Sequence, residues 1–463
     1  MLCSDLSLRC FPRGTVAFRW IFPVFILLLS PTASLFFGQN KESKFSPPFI
    51  QKVELLNGLH LLTAEVPGSD RVVVIFLIKS GYGMDPDKKQ GVALLTAHGI
   101  LEANQKVTQQ RWKDELDFLE AIFSIQVEMD STLFRAELPA KNLEPFLNTI
   151  ANLLVRPIFQ KEGLDRMKEQ VGDSGVVSPA EFLSSLLDPE LFGRGYCSHR
   201  LIGDPDTLKE IGLADVQAFH AAYYLPNNAA IAVVGPPNLS SLSALIREKF
   251  GGWTKGPQPH LPDPPTSTLV DTEIRIFEKK GNSDVSVLFG NPGPSRQTPD
   301  YYSLVLLTQF LGGHSQHSKL KQELDRGGVP YQSIQSELQL GLTCGKLKIL
   351  AQAPPSSIKP ILETIQRVID ELKANKASDS ALDRVRLEVI DSFQRSISSP
   401  QGFAQAMAEI ELQGLPRGYL QTFPRGLEEV SVDRLQEAAK NYLTSRGAVV
   451  IMGDKEKIEE ALH

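Results

Sequence analysis

Histidines are the first residues to consider for chemistry, because imidazole binds transition metals and transfers protons near neutral pH. The chain holds eight histidines in 463 residues. His98 and Glu102 lie four residues apart, so on a helix they would share a face and could supply two metal ligands. His314 and His317 form a second close pair. For both pairs we favour ordinary polar contacts, since a zinc site needs about three protein ligands and no suitable third one lies near the second pair.

Other kinds of chemistry are excluded more simply. The sequence contains no Gly-x-Ser-x-Gly elbow of a serine hydrolase and no glycine pattern of a nucleotide-binding loop. A formal net charge of -6 provides no diffuse basic surface for a phosphate backbone, so we expect no nucleic-acid partner. Charged residues at 22% and hydrophobic residues at 42% exclude a polytopic membrane protein and a mostly disordered chain.

The first 38 residues have the pattern of a secretory signal peptide. Arg9, Arg13 and Arg19 precede an apolar run from residue 20 to residue 29, and small residues follow at 31–34. We therefore predict an exported protein, periplasmic or extracellular. An uncleaved membrane anchor is the alternative if the apolar stretch continues to residue 37, and it is the only membrane contact we expect.

The chain has four cysteines, and two of them, Cys3 and Cys10, belong to the predicted leader. Cys197 and Cys344 remain. They could pair in an oxidising compartment, but nothing in a single sequence places them side by side. Two buried free cysteines are the favoured interpretation, because free cysteine is often buried.

The elements that must position these residues occur twice. Strand and helix patterns over residues 50–250 are followed by a proline-rich linker at 251–272, and a similar order then recurs over 273–463. Residues 143–150 and 358–365 carry Pro, Leu, Thr and Ile at the same places. A repeat of this length indicates a domain duplication. We predict an α+β fold of two homologous domains, each a largely antiparallel sheet with helices packed on one face.

This order resembles one family, the pitrilysin/insulinase-type metallopeptidases or inverzincins, over about residues 50–463. The resemblance depends on three segments: the "GYGMDP" turn and helix of Gly81–Glu102, the run from Leu201 through Tyr224 to Gly235, and the run from Leu311 to Tyr331. The family resemblance implies a His-x-x-Glu-His motif on the first helix and a later Glu ligand. In that motif two histidines at i and i+4 bind zinc and the Glu activates the metal-bound water.

The five motif positions here are Leu94, Leu95, Thr96, Ala97 and His98. Only His98 remains, as a vestige, and Ala97 has no proton acceptor where the general base would be. The third ligand would fall near Val171–Gly175, where the sequence has Asp173 and no Glu. We therefore expect no catalytic residues, no metal ligands and no cofactor in this chain, with zinc only in a partner chain.

The resemblance also implies a peptide cleft in which an Arg and a Tyr of the second domain hold a substrate that pairs with a sheet edge. Tyr331 is in place, while Leu324 stands at the usual Arg position and Arg326 follows two residues later. Tyr331 and Arg326 are thus the candidate substrate-binding residues. A half-buried strand aromatic remains an alternative for Tyr331.

Together these features predict a non-catalytic subunit of an exported inverzincin-type peptidase. It would form a heterodimer with an active subunit of the same family and help to enclose a peptide. Two alternatives remain open. One is a structural or binding protein of the cell envelope without proteolysis. The other is a zinc peptidase with a metal site rebuilt from His98, Glu102 and Asp173.

Overall fold

The computed structural model describes most of the chain beyond the predicted leader. The described residues are 47–102, 109–172, 177, 179–236, 241–262, 274–279, 281, 283–313 and 318–463. The leader, Asp173, His314 and His317 lie outside these ranges. None of the helices within them has the length and apolar character that crossing a membrane requires.

The first half of the chain contributes a six-stranded sheet. Its spatial order is β1-β2-β6-β3-β5-β4. Strands β2 and β6 are parallel, and the other neighbours are antiparallel. The strands are β1 (Gln51–Glu54), β2 (His60–Glu65), β3 (Arg71–Ile78), β4 (Ile122–Val127), β5 (Thr132–Pro139) and β6 (Ala229–Gly235).

The second half contributes a five-stranded sheet in the order β7-β11-β8-β10-β9. Its strands are β7 (Ile274–Glu278), β8 (Val285–Gly293), β9 (Ser333–Leu340), β10 (Gly345–Ala353) and β11 (Ala448–Gly453). One parallel pair, β7 with β11, is followed by three antiparallel pairs, which is the pattern of the first sheet without β1. The predicted α+β fold of two homologous domains is therefore confirmed.

Helices follow the strands in both halves. The first half contains α1 (Val92–Gly99), α2 (Gln109–Phe118), α3 (Leu143–Val155), α4 (Lys161–Gly172), α5 (Pro179–Leu186), α6 (Asp188–Phe192), α7 (Pro205–Glu210), α8 (Leu213–Tyr223) and α9 (Leu242–Phe250). The second half contains α10 (Tyr301–Gly312), α11 (Lys319–Arg326), α12 (Ile358–Ala374), α13 (Asp379–Ser396), α14 (Pro400–Leu412), α15 (Tyr419–Glu428), α16 (Val432–Tyr442) and α17 (Lys455–Leu462). Helices α3 and α12 begin at the first residues of the two matching sequence windows.

Strand β3 shows how the first sheet is buried. Its residues from Val72 to Ile78 are all apolar and at most 5% exposed. The even-numbered side chains, such as Val74 and Phe76, join the core under the helices of the first half. The odd-numbered ones, such as Ile75, pack against α14 of the second half. Both faces of the strand are covered, which explains its continuous apolar run.

The second sheet is covered in the same reciprocal way. On one face Val287 and Ile349 pack with helices of the second half. On the other face Leu288 and Val450 belong to the core of the first half, and α6 contacts β8 and β11. A Cβ atom on Gly290 would lie only 2.3 Å from Leu187 Cδ2. Each sheet thus has its own helices on one face, as predicted, and a helix from the other half on its second face.

A disulfide bond also joins the two halves. Cys197, just after α6, is bonded to Cys344, just before β10, with their Cα atoms 6.4 Å apart. Both residues are buried. The interpretation of two free cysteines was therefore wrong. The two cysteines are 147 residues apart in the sequence, and only the packing of the two halves against each other brings them together. No local sequence pattern could therefore indicate the bond.

Candidate functional site

Helix α1 is held by the turn that precedes it. Asp85 of the "GYGMDP" turn is buried and accepts hydrogen bonds from the backbone N–H groups of Gly91, at 2.6 Å, and Ala93, at 2.9 Å. The carboxylate occupies the positive end of the helix, where unpaired N–H groups favour an anion. Gly91 has a φ of 99°, a conformation that glycine adopts without strain. The turn therefore fixes where α1 begins.

The side chains of α1 provide almost nothing for chemistry. Leu94 is 2% exposed and Ala97 is fully buried, and both belong to the hydrophobic core. The Thr96 hydroxyl is buried and donates to the Val92 carbonyl at 2.7 Å. A leucine and an alanine therefore occupy positions at which a zinc ligand and a general base would be needed.

His98, the one remaining motif residue, is half-buried on α1. Burial lowers the pKa of its imidazole to about 4, so the ring is neutral at physiological pH. A neutral imidazole can bind a metal, but one ligand does not make a zinc site. Within the described ranges no group of three His, Cys, Asp or Glu side chains could hold a metal ion. The side chains of α1 do not fit the family's catalytic zinc.

A cavity lies between the two halves instead. Its volume is about 370 Å³, and the end of β4 and the end of β9 form parts of its wall. Tyr82, from the turn before α1, also lines it, whereas His98 does not. The cavity and the remaining motif histidine are therefore separate features.

Two sheet edges meet at this cavity. Strand β4 is the last strand of the first sheet, and β9 is the last strand of the second, in equivalent positions of the duplicated order. An edge strand presents unpaired backbone N–H and C=O groups, which can pair with an extended peptide. An extended peptide can therefore add as a further strand to the sheet of either half.

Buried charges connect the cavity wall across the two halves. The Lys346 ammonium of β10 pairs with the Asp188 carboxylate of α6, and both side chains are at most 3% exposed. Asp188 also accepts a hydrogen bond of 2.9 Å from the Tyr82 hydroxyl. Asp130 accepts one from the Tyr196 hydroxyl and another, at 2.7 Å, from the backbone N–H of Leu342. These contacts hold the wall in place.

Several carboxyl groups in the cavity wall have raised pKa values. Burial raises the pKa of Glu409 to about 7, and the nearby charges of Glu128 and Asp130 add to this shift. Burial likewise raises the pKa values of Glu128 and Asp130. These three acidic residues lie at one cavity, and sequence analysis missed them. Glu409 is on α14, so the sequence offered no signal that it would meet the other two.

The predicted substrate-binding residues lie elsewhere. The Tyr331 hydroxyl donates to Asp325 Oδ1 at 2.9 Å, in a separate surface pocket before β9. The Arg326 side chain is 73% exposed and pairs with Glu323. Neither residue lines the cavity between the halves. Their role in binding a peptide remains a prediction.

Comparison with known proteins supports the family resemblance. The family description "Insulinase (Peptidase family M16)" matches residues 61–176, and "Peptidase M16 inactive domain" matches residues 210–389. An uncharacterized zinc protease of Mycobacterium leprae is 20% identical over 87% of this chain and 91% of its own length. These matches extend across both halves of the chain.

Solved structures show the same fold. A protease from Helicobacter pylori superposes with a TM-score of 0.79 at 19% identity, covering 88% of this chain and all of the other. A peptidase M16 inactive domain from Pseudomonas fluorescens gives a TM-score of 0.77 at 24% identity, covering 88% of this chain and 98% of the other. At these identities the likeness concerns the fold alone.

Proposed function

Because the chain belongs to the insulinase family of M16 peptidases, we propose that it is a non-catalytic subunit of an exported peptidase of that family. In this role it pairs with an active subunit that carries an intact His-x-x-Glu-His motif. The active chain holds the zinc, and this chain contributes part of the wall around a bound peptide.

The observation that carries the proposal is the chemical nature of two side chains on α1. Ala97 cannot take a proton from water, and the buried Leu94 side chain cannot ligate a metal. A zinc-activated hydrolysis needs both functions. The rest of the fold is nevertheless retained, including both sheets and the cavity between them. Loss of chemistry with retention of the scaffold favours a binding role.

Two features support peptide binding by this chain. The edges of β4 and β9 both reach the cavity, so an extended peptide can add to either sheet through backbone hydrogen bonds. Such bonds do not depend on the peptide's sequence, which suits a subunit that holds diverse substrates.

Export is supported by the covalent link between the halves. Disulfides persist in oxidising compartments such as the periplasm or the extracellular space, and they are rare in the cytosol. The Cys197–Cys344 bond agrees with the signal-peptide pattern of residues 1–38.

The test is to purify this chain alone and together with a chain from the same organism that has the intact motif. We expect less than stoichiometric zinc and no hydrolysis of fluorogenic peptides by this chain alone. The complex should cleave peptides with its zinc on the other chain. His98→Ala should leave this activity unchanged, while Glu→Gln at the partner's general base should abolish it.

Two results would contradict the proposal. One zinc per isolated chain, with peptidase activity lost in His98→Ala, would indicate a rebuilt metal site. Stable association with only non-peptidase envelope proteins, and none with a motif-bearing chain, would indicate a structural role.

A further inference from the structure

The cavity between the halves has more acidic than basic side chains in its wall. Five carboxylate residues line it, against two lysines. The acidic residues are Glu128, Asp130, Glu181, Glu337 and Glu409, and the basic ones are Lys346 and Lys348.

Both lysines already have carboxylate partners. Lys346 pairs with Asp188, and it also donates to the Ser184 carbonyl at 2.9 Å. Lys348 lies 3.2 Å from a Glu337 carboxylate oxygen. The negative charge on the opposite side of the cavity is therefore not balanced by these ammonium groups.

Three carboxyl groups make up that acidic side. Glu128 is half-buried beyond the end of β4, Asp130 is 6% exposed, and Glu409 is half-buried on α14. Among the described residues, no lysine or arginine nitrogen lies within 4.0 Å of their oxygens. Arg135 and Arg296 stabilise the charges of Glu128 and Glu409 from a greater distance, but neither lines the cavity.

A second observation concerns an amide in the same wall. Gln413, which follows α14, is 4% exposed, and its Nε2 donates to the Leu340 carbonyl at 3.4 Å. Its buried Oε1 accepts no hydrogen bond from any described residue. Gln339 of β9 also has a buried Oε1 without a partner in the described ranges. A buried acceptor without a donor costs free energy, so such atoms mark a place where a donor is needed.

We propose that this cavity is a subsite for one cationic side chain, lysine or arginine, of a peptide that lies along β4 or β9. The cation would donate to Glu128 and Glu409, next to the buried oxygen of Gln413. The inference rests on the proposed peptide-binding role and assigns it a substrate preference. The volume of about 370 Å³ is at the small end of ligand pockets, about 300–1,000 Å³, and suits a side chain.

The physical reason is complementarity of charge and of hydrogen bonding. A guanidinium has five N–H donors and an ammonium has three, and neither has an acceptor. Glu128 accepts hydrogen bonds from the Gln126 amide at 2.9 Å and the Ser131 hydroxyl at 3.3 Å, and Glu409 accepts one from Gln413, but these donors are neutral. A cationic donor would add the charge that the described wall residues do not place next to these two carboxyl groups. Bringing a cation close to Glu128 and Glu409 also relieves the repulsion between the two carboxylates, and hydrogen bonds to charged groups are the stronger kind.

The test compares peptides that differ at one side chain. Four fluorescein-labelled ten-residue peptides, otherwise neutral and blocked at both ends, carry arginine, lysine, citrulline or norleucine at one central position. Their dissociation constants are measured by fluorescence anisotropy at physiological salt. We expect the arginine and lysine peptides to bind at least about tenfold more tightly than the citrulline and norleucine peptides.

Two variants locate the effect. Glu409→Gln and Glu128→Gln keep the side-chain shape and remove one ionisable carboxyl group each, and we expect each to shrink the preference for arginine over citrulline. Glu456→Gln, on the exposed surface of α17, removes a carboxyl group that is not part of the cavity wall and serves as the matched control. Thermal melting of all three variants verifies that each is folded.

The outcomes are distinct. Equal binding of all four peptides would overturn the cationic subsite while leaving peptide binding intact. A preference for arginine that survives in the Glu128→Gln/Glu409→Gln double variant would overturn its location in this cavity. Binding of none of the peptides, by the chain alone or by its complex with an active subunit, would refute the peptide-binding role and this inference with it.

Discussion

The disulfide between the halves gives the sharpest prediction about stability. Breaking it, by reduction or by Cys197→Ala, should destabilise the protein, because the bond restricts the unfolded chain across 147 residues. The loop-entropy relation gives about 5 kcal/mol for a loop of this length, and measured values for disulfides are typically about 2–4 kcal/mol. We therefore expect the free energy of unfolding to fall by about 2–5 kcal/mol.

The assay is thermal and guanidinium unfolding of oxidised wild type, reduced wild type, Cys197→Ala, Cys344→Ala and the double variant. For a chain of this size the loss corresponds to a decrease in Tm of about 2–6 °C. Reduction isolates the covalent bond, because it leaves both sulfur atoms in place. The two single variants and the double variant should lose similar amounts, since any of them breaks the same bond.

The halves should nevertheless unfold together after reduction. Helix α14 covers the first sheet and α6 covers the second, so separating the halves would expose apolar surface on both. We expect one unfolding transition before and after reduction. An unchanged transition on adding reductant, or peptide mapping that finds both cysteines as free thiols, would refute the reasoning.

Three further predictions concern the interior. Glu411 is buried and pairs with Lys52, His60 and Lys79. Glu411→Gln should lower the free energy of unfolding, measured with urea at pH 7, by about 1–3 kcal/mol. These partners hold the pKa of Glu411 below its ordinary value of 4.5, against the opposing effect of burial, so its stabilisation is present above that pH and is lost as the pH falls further. The difference in unfolding free energy between wild type and E411Q should therefore shrink as the pH is lowered. A difference that does not change with pH would contradict this prediction. Leu94→His with Ala97→Glu places two polar groups in the core, so the double variant should lose at least about 2 kcal/mol of stability, and an unchanged urea midpoint would argue against this. Gly290→Ala brings a Cβ within 2.3 Å of Leu187 Cδ2 and should cost about 1–3 kcal/mol, whereas an equally stable variant would show that the Leu187 side chain can move aside.

The fold was largely predictable because its signals are local and occur twice. The matching windows at 143–150 and 358–365 are the starts of α3 and α12, and the apolar run of β3 indicates a buried strand. The resemblance to the family came from motif order along the chain. Loss of the His-x-x-Glu-His motif could also be read directly from Leu94 and Ala97, because a side chain without a donor atom cannot bind zinc in any fold.

The cavity could not be predicted in the same way. Asp130 lies in the loop between β4 and β5, and Glu409 is one of the two charged residues of α14. Their meeting depends on α14 crossing from the second half onto the sheet of the first. The pairing of Cys197 with Cys344 depends on the same interface. Such contacts join positions more than a hundred residues apart, and no local pattern records them.

The sequence by itself thus determined the duplicated α+β architecture, the family and the absence of the family's catalytic motif, since each follows from residue type and order. The tertiary structure alone decided which acidic residues share a cavity, which cysteines are bonded and which helix covers each sheet. The physical reason is that these features arise where two apolar surfaces are buried against each other. Their relative placement is set by packing between the halves rather than by the neighbours of any residue along the chain.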